Sequence, residues 1–139
     1  MGFFSTWLQK LHETFIETQY WKLMLEGFGN TIVITLGALL IGVLIGTLIA
    51  VIKYCAEGTK ALKPLAWICD LYVTVIRGTP IVVQLLIAYT ILFNGSFEAC
   101  VFAFGVNSGA YVAEIIRGGI ASIDPGQAEA GRSLGLSEG

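Results

Sequence analysis

Apolar residues fall along this chain in three stretches joined by short polar links. Asn30 to Ile52 is 23 residues without a charge. As a helix it would be about 34 Å long at 1.5 Å per residue, enough to cross a hydrocarbon core about 30 Å thick. Thr79 to Phe93 is also uncharged, but its 15 residues reach only about 22 Å. Pro80 lacks an N–H, and its ring would meet the carbonyl of Ile76 in a continuous helix. Two arrangements fit: a helix starting at Pro80 with Thr79 as its cap, or a longer helix from about Leu65 broken at that point. Length favours the second. Broken helices at membrane depth face protein or line a path, because freed backbone groups cannot face lipid. The third stretch runs from about Ala99 to Ile120, after a turn-like Asn94-Gly95-Ser96 link suited to antiparallel neighbours.

The pattern predicts an all-α transmembrane fold, a helical bundle with spans at about 29–52, 65–93 and 98–120. Residues 27–139 form one membrane domain. Residues 1–26 form a leader in which Phe3, Trp7, Leu11, Phe15 and Trp21 stand among charges. That suits either an amphipathic helix at the outer surface or a frayed lead-in to the first span.

Ala38, Gly42, Gly46 and Ala50 recur every four residues along the first span, and Gly105, Gly109 and Ala113 along the third. Lipid supplies no hydrophobic drive for helices to associate, so they pack through close approach at small residues. Each of these faces is expected to meet another helix. Asn107, Ser108 and Glu114 are polar within the third span. Glu114 shares a helix face with Arg117, three positions on, which favours a structural ion pair over a substrate contact.

Charge changes the picture by giving it an orientation. Lys53, Lys60, Lys63, Arg77, Arg117 and Arg132 fall on one side if the spans alternate, and Lys10 and Lys22 on the other. The positive-inside rule then makes the first side cytoplasmic and puts the N-terminus outside, in a multi-pass protein of the cell membrane. Met1 to Trp7 lack the layout of a cleavable signal, so the spans themselves are expected to direct insertion. Composition agrees with a membrane chain: 55% hydrophobic and 13% charged, with a net charge of −2. There is no basic tail for nucleic acid. Cys55, Cys69 and Cys100 are far apart and His12 is the single histidine, which leaves a metal site without ligands. No clustered Cys, His or acid constellation suggests an enzyme, and no G-x-x-x-x-G-K-[ST] run suggests nucleotide binding. A membrane scaffold using the small-residue faces is the competing reading, and it requires no ATPase partner.

After the third span, Asp124-Pro125-Gly126-Gln127 reads as a helix start. Asp124 caps, Pro125 takes the first helical position and Gln127 completes a capping box. The helix should stop near Leu134, with Gly135 left-handed after it. Ser137 would cap a second helix. Ala128, Gly131 and Gly135 share one face, suited either to a partner's groove or to a solvated loop.

Three segments carry a family resemblance. Arg77-Gly78-Thr79-Pro80-Ile81-Val82-Val83-Gln84 resembles the RGTP-hydrophobic-Q segment of polar amino acid ABC transporter permeases. Asn107-Ser108-Gly109-Ala110-Tyr111-Val112-Ala113-Glu114-Ile115-Ile116-Arg117-Gly118-Gly119 resembles the same family's third span. Glu129-Ala130-Gly131-Arg132-Ser133-Leu134-Gly135 resembles the start of its E-A-A-x-x-x-G loop. The resemblance runs from about Glu26 to the end. It implies a bundle of the type I ABC importer permease kind, acting as the membrane-spanning subunit of a polar amino acid importer. Its implied partners are a separate ATP-binding subunit, which holds ATP and Mg, a second permease subunit in a homo- or heterodimer, and an extracytoplasmic binding protein. It implies no cofactor in this chain. Glu129, Ala130, Gly131, Arg132 and Gly135 would couple to the ATPase. Arg77, Gly78, Thr79, Pro80, Gln84, Asn107, Ser108 and Glu114 would line the pathway. Two departures stand out. Gly131 replaces the usual second Ala, at about 1 kcal/mol of helix propensity. The I-x-L-P completion of the loop and the family's last two spans are absent before Gly139, so this stretch alone is expected not to form a full pathway.

Overall fold

The computed structural model describes residues 2–14 and 19–136, without the side chains of Phe3 and Pro125. Phe15 of the leader and Ser137, the expected cap of a second cytoplasmic helix, lie outside the described residues. The described elements are α1 (Gly2–His12), α2 (Tyr20–Gly58), a 3₁₀ turn (Lys60–Leu62), α3 (Lys63–Gly78), α4 (Ile81–Ile87) running into a π turn (Ala88–Leu92), α5 (Ser96–Ala121) and α6 (Pro125–Ser133). No strand occurs among them.

Helix α2 is unbroken for 39 residues and takes in residues 20–26, which the charge pattern assigns to the leader. The apolar run marks what contacts the bilayer, whereas the helix itself continues through Lys22, Glu26 and Glu57, since exposed charges do not end a helix. It stops where Gly58 meets an extended Thr59. Pro64 then sits in the first turn of α3, where its missing N–H breaks no hydrogen bond.

The small-residue faces of α2 and α5 meet each other. Ala38, Gly42, Gly46 and Ala50 are buried, as are Gly105, Gly109 and Ala113. The knobs are reciprocal. Ile41 and Ile45 of α2 lie over Gly105 and Gly109, while Ser108 and Val112 of α5 lie over Gly42 and Gly46. The opposite face of α2 carries Leu36, Leu40, Leu44 and Leu48, each 61–63% exposed. An apolar stripe of that kind cannot face water over such a length, but it suits lipid or further helices.

The pairings also fix direction. Gly37 faces Val101, Ile41 faces Gly105, Ile45 faces Gly109 and Gly46 faces Val112. The numbers rise together, so α2 and α5 are parallel. Two parallel spans require the chain between them to return across the bilayer. The α3–α4 pair makes that return, bent by 104° at the break. The middle span is therefore not a straight rod over 65–93. Cys69 and Val73 of α3 join a core with Ile49, Ala110 and Ala113. Ala88, at the end of α4, packs near the other end of α5 against Ala99 and Ala103.

Candidate functional site

The break is built by Pro80 and mended by Gln84. Helix α3 ends at Gly78, Thr79 is extended (φ −105°, ψ 130°), and α4 begins after Pro80. Thr79 does not cap α4. Its hydroxyl instead donates back to Val75 O at 2.8 Å. In an unbroken helix Ile76 O would accept from the N–H of residue 80, which proline lacks. Gln84 Nε2 takes that place at 2.7 Å and also donates to Thr79 O at 2.9 Å. Two carbonyls that lipid could not satisfy are thus bonded by one side chain, as irregular backbone at membrane depth requires. The carbonyl of the same Gln84 accepts from Asn107 Nδ2 on α5 at 3.4 Å. The RGTP-x-x-x-Q spacing acquires a physical meaning here: the glutamine lies one helical turn past the proline, within reach of the carbonyls the proline orphans.

Beside the break, three cations converge on one carboxylate. Glu114 of α5 meets Lys53 of α2 at 3.3 Å, Arg77 of α3 at 3.4 Å and Arg117 of its own helix at 3.1 Å. Lys53 also meets Asp70 of α3 at 2.6 Å. The Arg77 guanidinium stacks over the Tyr111 ring at 5.3 Å. Lys53 is the most enclosed member, its side chain 15% exposed. The expected Glu114–Arg117 pair is present, bonded through both Nε and NH2. It is one edge of a cluster that ties three helices together and lines a recess of about 610 Å³.

Of the residues expected to line a path, Gln84 and Asn107 are joined directly, and Arg77 and Glu114 are joined through the cluster. Pro80 and Thr79 shape the break. Gly78 ends α3 with open space around it. Ser108 packs over Gly42 and, with Asn107, Thr31, Thr35 and Tyr111, edges a second recess of about 660 Å³ between α2 and α5.

Sequence reading missed Lys53 and Asp70 as partners, counting Lys53 only as a topological charge. Asp70 alone in an apolar stretch between Leu65 and Ile76 was the available signal. Tyr72 was also missed. Its hydroxyl donates to Val106 O at 2.6 Å, across a gap that Gly109 leaves open. No three His, Cys, Asp or Glu side chains gather into a metal-binding group among the described residues.

Helix α6 carries the other set. Asp124 Oδ1 accepts from Gly126 N–H at 2.8 Å. This is a single cap on the second helical amide and not the expected capping box, because the oxygen stops short of the Gln127 amide, whose N–H bonds Asp124 O. At the other end Leu136 N–H bonds Gly131 O at 3.1 Å, and Gly135 N–H bonds Arg132 O at 3.0 Å. With Gly135 at φ 81° this is a Schellman close. Glu129, Ala130 and Arg132 are exposed and Gly131 is half-buried. Among the described residues α6 packs against no other helix.

Residues 42–139 match the family model described as binding-protein-dependent transport system inner membrane component. The chain is 40% identical over 122 residues to the arginine transport system permease protein ArtQ of Bacillus subtilis (strain 168), covering 84% of this chain and 53% of that one. It is 36% identical over 127 residues to the L-cystine transport system permease protein TcyB of the same organism, covering 88% and 52%. A solved structure titled as an amino acid ABC transporter with histidines superposes with a TM-score of 0.76 at 43% identity, covering 88% of this chain and 57% of that one. The chain spans about half the length of the curated relatives it matches. With the family model covering well over half of the sequence, on parallel small-residue spans and a proline-broken return, the chain belongs to the inner membrane components of binding-protein-dependent transport systems.

Proposed function

We propose that this chain is part of the membrane-spanning subunit of an ATP-driven importer for a polar amino acid. The observation that carries the proposal is α6. It is a nine-residue helix capped at both ends, exposed, and packed against nothing else described. Helices of that length are marginal in water, so a helix held by Asp124 at its start and by left-handed Gly135 just past its end suits docking into a partner. The partner in this reading is an ATP-binding subunit that holds ATP and Mg. A second permease subunit and an extracytoplasmic binding protein complete the assembly. Arginine and cystine transport in the names of the relatives supports a polar amino acid as cargo. Asn107 and Ser108 are the pathway residues we favour, because they are polar and edge open space, and Gln84 belongs with them through its bond to Asn107. Arg77 and Glu114 bond each other, and in this reading they hold the helices in place.

Glu129 and Arg132 supply polar contacts to the ATPase, and Gly135 sets how closely α6 docks. Gly135→Leu in the full-length protein is expected to leave insertion intact, to weaken co-purification with the ATP-binding subunit and to abolish uptake. Within this chain nothing lies within 4 Å of a Cβ at Gly135, so its intramolecular effect is backbone strain of about 1–2 kcal/mol. Gly135→Asn, which tolerates the left-handed backbone, separates strain from docking. If Gly135→Leu keeps both its partner and its transport, the coupling role of α6 fails.

The same reading places the N-terminus outside and α6 in the cytoplasm. The six cations on the α6 side support it, and so does the parallel run of α2 and α5. In a variant lacking Cys55, Cys69 and Cys100, an impermeant thiol reagent added outside should label Ser96→Cys but not Lys60→Cys. The opposite labelling would invert the topology.

A further inference from the structure

Helix α1 takes no part in the break, the charged cluster or α6, and its pattern is specific. Phe4, Trp7, Leu8 and Leu11 fall at i, i+3, i+4 and i+7, one face of a helix, while Ser5, Thr6, Gln9 and Lys10 take the other. Thr6 Oγ1 donates to Gly2 O at 2.6 Å, closing the first turn on itself. Among the described residues α1 packs against no other helix. Phe4 is 70% and Trp7 55% exposed. Eleven residues are too few for a stable isolated helix in water. Something must cover the apolar face.

We infer that α1 lies flat in the lipid headgroup–acyl boundary, its Phe4/Trp7/Leu8/Leu11 face turned into the bilayer. Tethering supplies the first reason. The connection from His12 to the start of α2 at Tyr20 reaches at most about 28 Å when fully extended, and α2 spans the membrane. A membrane surface is therefore always within reach, and no diffusional encounter is needed. Chemistry supplies the second. A single Trp among aliphatic and Phe side chains, with Tyr20 and Trp21 exposed on the next helix, matches side chains that settle at the headgroup level. Lys10 on the polar face is followed by Glu13 just past the helix, one charge of each sign, so burial of the apolar face drives binding, and anionic lipid is not needed.

The test uses the whole protein with Trp7 as its sole tryptophan (Trp21→Phe, Trp67→Phe), reconstituted in phosphatidylcholine vesicles brominated at shallow or deep acyl positions. Shallow bromines should quench Trp7 more strongly than deep ones. Aqueous iodide should reach it several-fold less well than in the same protein carrying Leu8→Glu, a change that touches no other helix. Adding phosphatidylglycerol should leave both readings unchanged. Stronger quenching by the deep bromines would overturn the flat placement. Iodide access as free as that of dissolved tryptophan would put α1 in water. Protection that disappears as protein is diluted in lipid would make a second copy of the chain the occupant. Each of these three results overturns the inference, and none of them bears on whether α6 couples to an ATPase.

Discussion

Replacing Glu114 with Leu should destabilise the bundle by about 3 kcal/mol, the lower end of what breaking an enclosed ion pair costs. The carboxylate answers Lys53, Arg77 and Arg117 at 3.1–3.4 Å. Without it the arginines, 42% and 50% exposed, can turn toward water or headgroups. Lys53 cannot turn as easily, and it keeps only Asp70. The loss therefore falls on the α2–α5 seam and on the hold of α3 against it. Arg117→Leu removes one half-exposed edge of the cluster and should cost far less, as solvent screens an exposed pair. Glu114→Gln keeps an acceptor without its charge and should fall between the two. Unfolding of the purified protein in mixed detergent micelles would rank the three variants. An Arg117→Leu loss equal to that of Glu114→Leu would show that the pair, and not the hub, holds the helices. In transport assays the full-length Glu114→Leu variant should lose uptake together with stability, whereas a residue that contacted only substrate would lose uptake alone.

Much of this was legible in the sequence, for physical reasons that can be named. A run of 23 uncharged residues and a four-residue repeat of Gly and Ala are local facts, and bilayer thickness and backbone approach turn them directly into spans and contact faces. Pro80 was equally readable, because inside an apolar helical run a missing N–H and the ring clash cost the i−4 carbonyl its partner. The role of Gln84 was only half readable. Its spacing places it near the break, but that one amide serves Ile76 O, Thr79 O and Asn107 together depends on a bend of 104°, and no local pattern encodes that angle. The charged cluster was the least readable. Lys53 and Glu114 lie 61 residues apart and meet because α2 and α5 run parallel in one register. That register is set by which Ile sits over which Gly, a tertiary outcome. The positive-inside rule counts Lys53, Arg77 and Arg117 alike, and it is blind to their shared partner.

The register itself gives the last and sharpest expectation. A Cβ on Gly46 would lie 2.6 Å from Val112 Cβ and 2.9 Å from Gly109 O. Val112 is β-branched and stiff on a helix, and Gly109 O is backbone, so neither gives way. In Gly46→Leu the two helices must move apart along the whole seam, which also lifts Ser108 from Gly42 and Ile45 from Gly109. Overpacking of this kind costs about 1–3 kcal/mol. A bilayer offers no hydrophobic gain from holding the separated faces together, so we expect the upper end. Gly27 provides the control. It lies on the same helix with nothing within 4 Å of an added Cβ, and there Gly→Leu should stabilise the helix by up to about 1 kcal/mol through propensity alone. The two variants make the same chemical change on one helix and should move stability in opposite directions. Denaturant titration of the reconstituted protein, followed by circular dichroism, would read both. If Gly46→Leu unfolds no earlier than the parent, α2 and α5 do not meet at Gly46, and the parallel register that brings Lys53 to Glu114 and requires α3–α4 to recross the membrane fails with it.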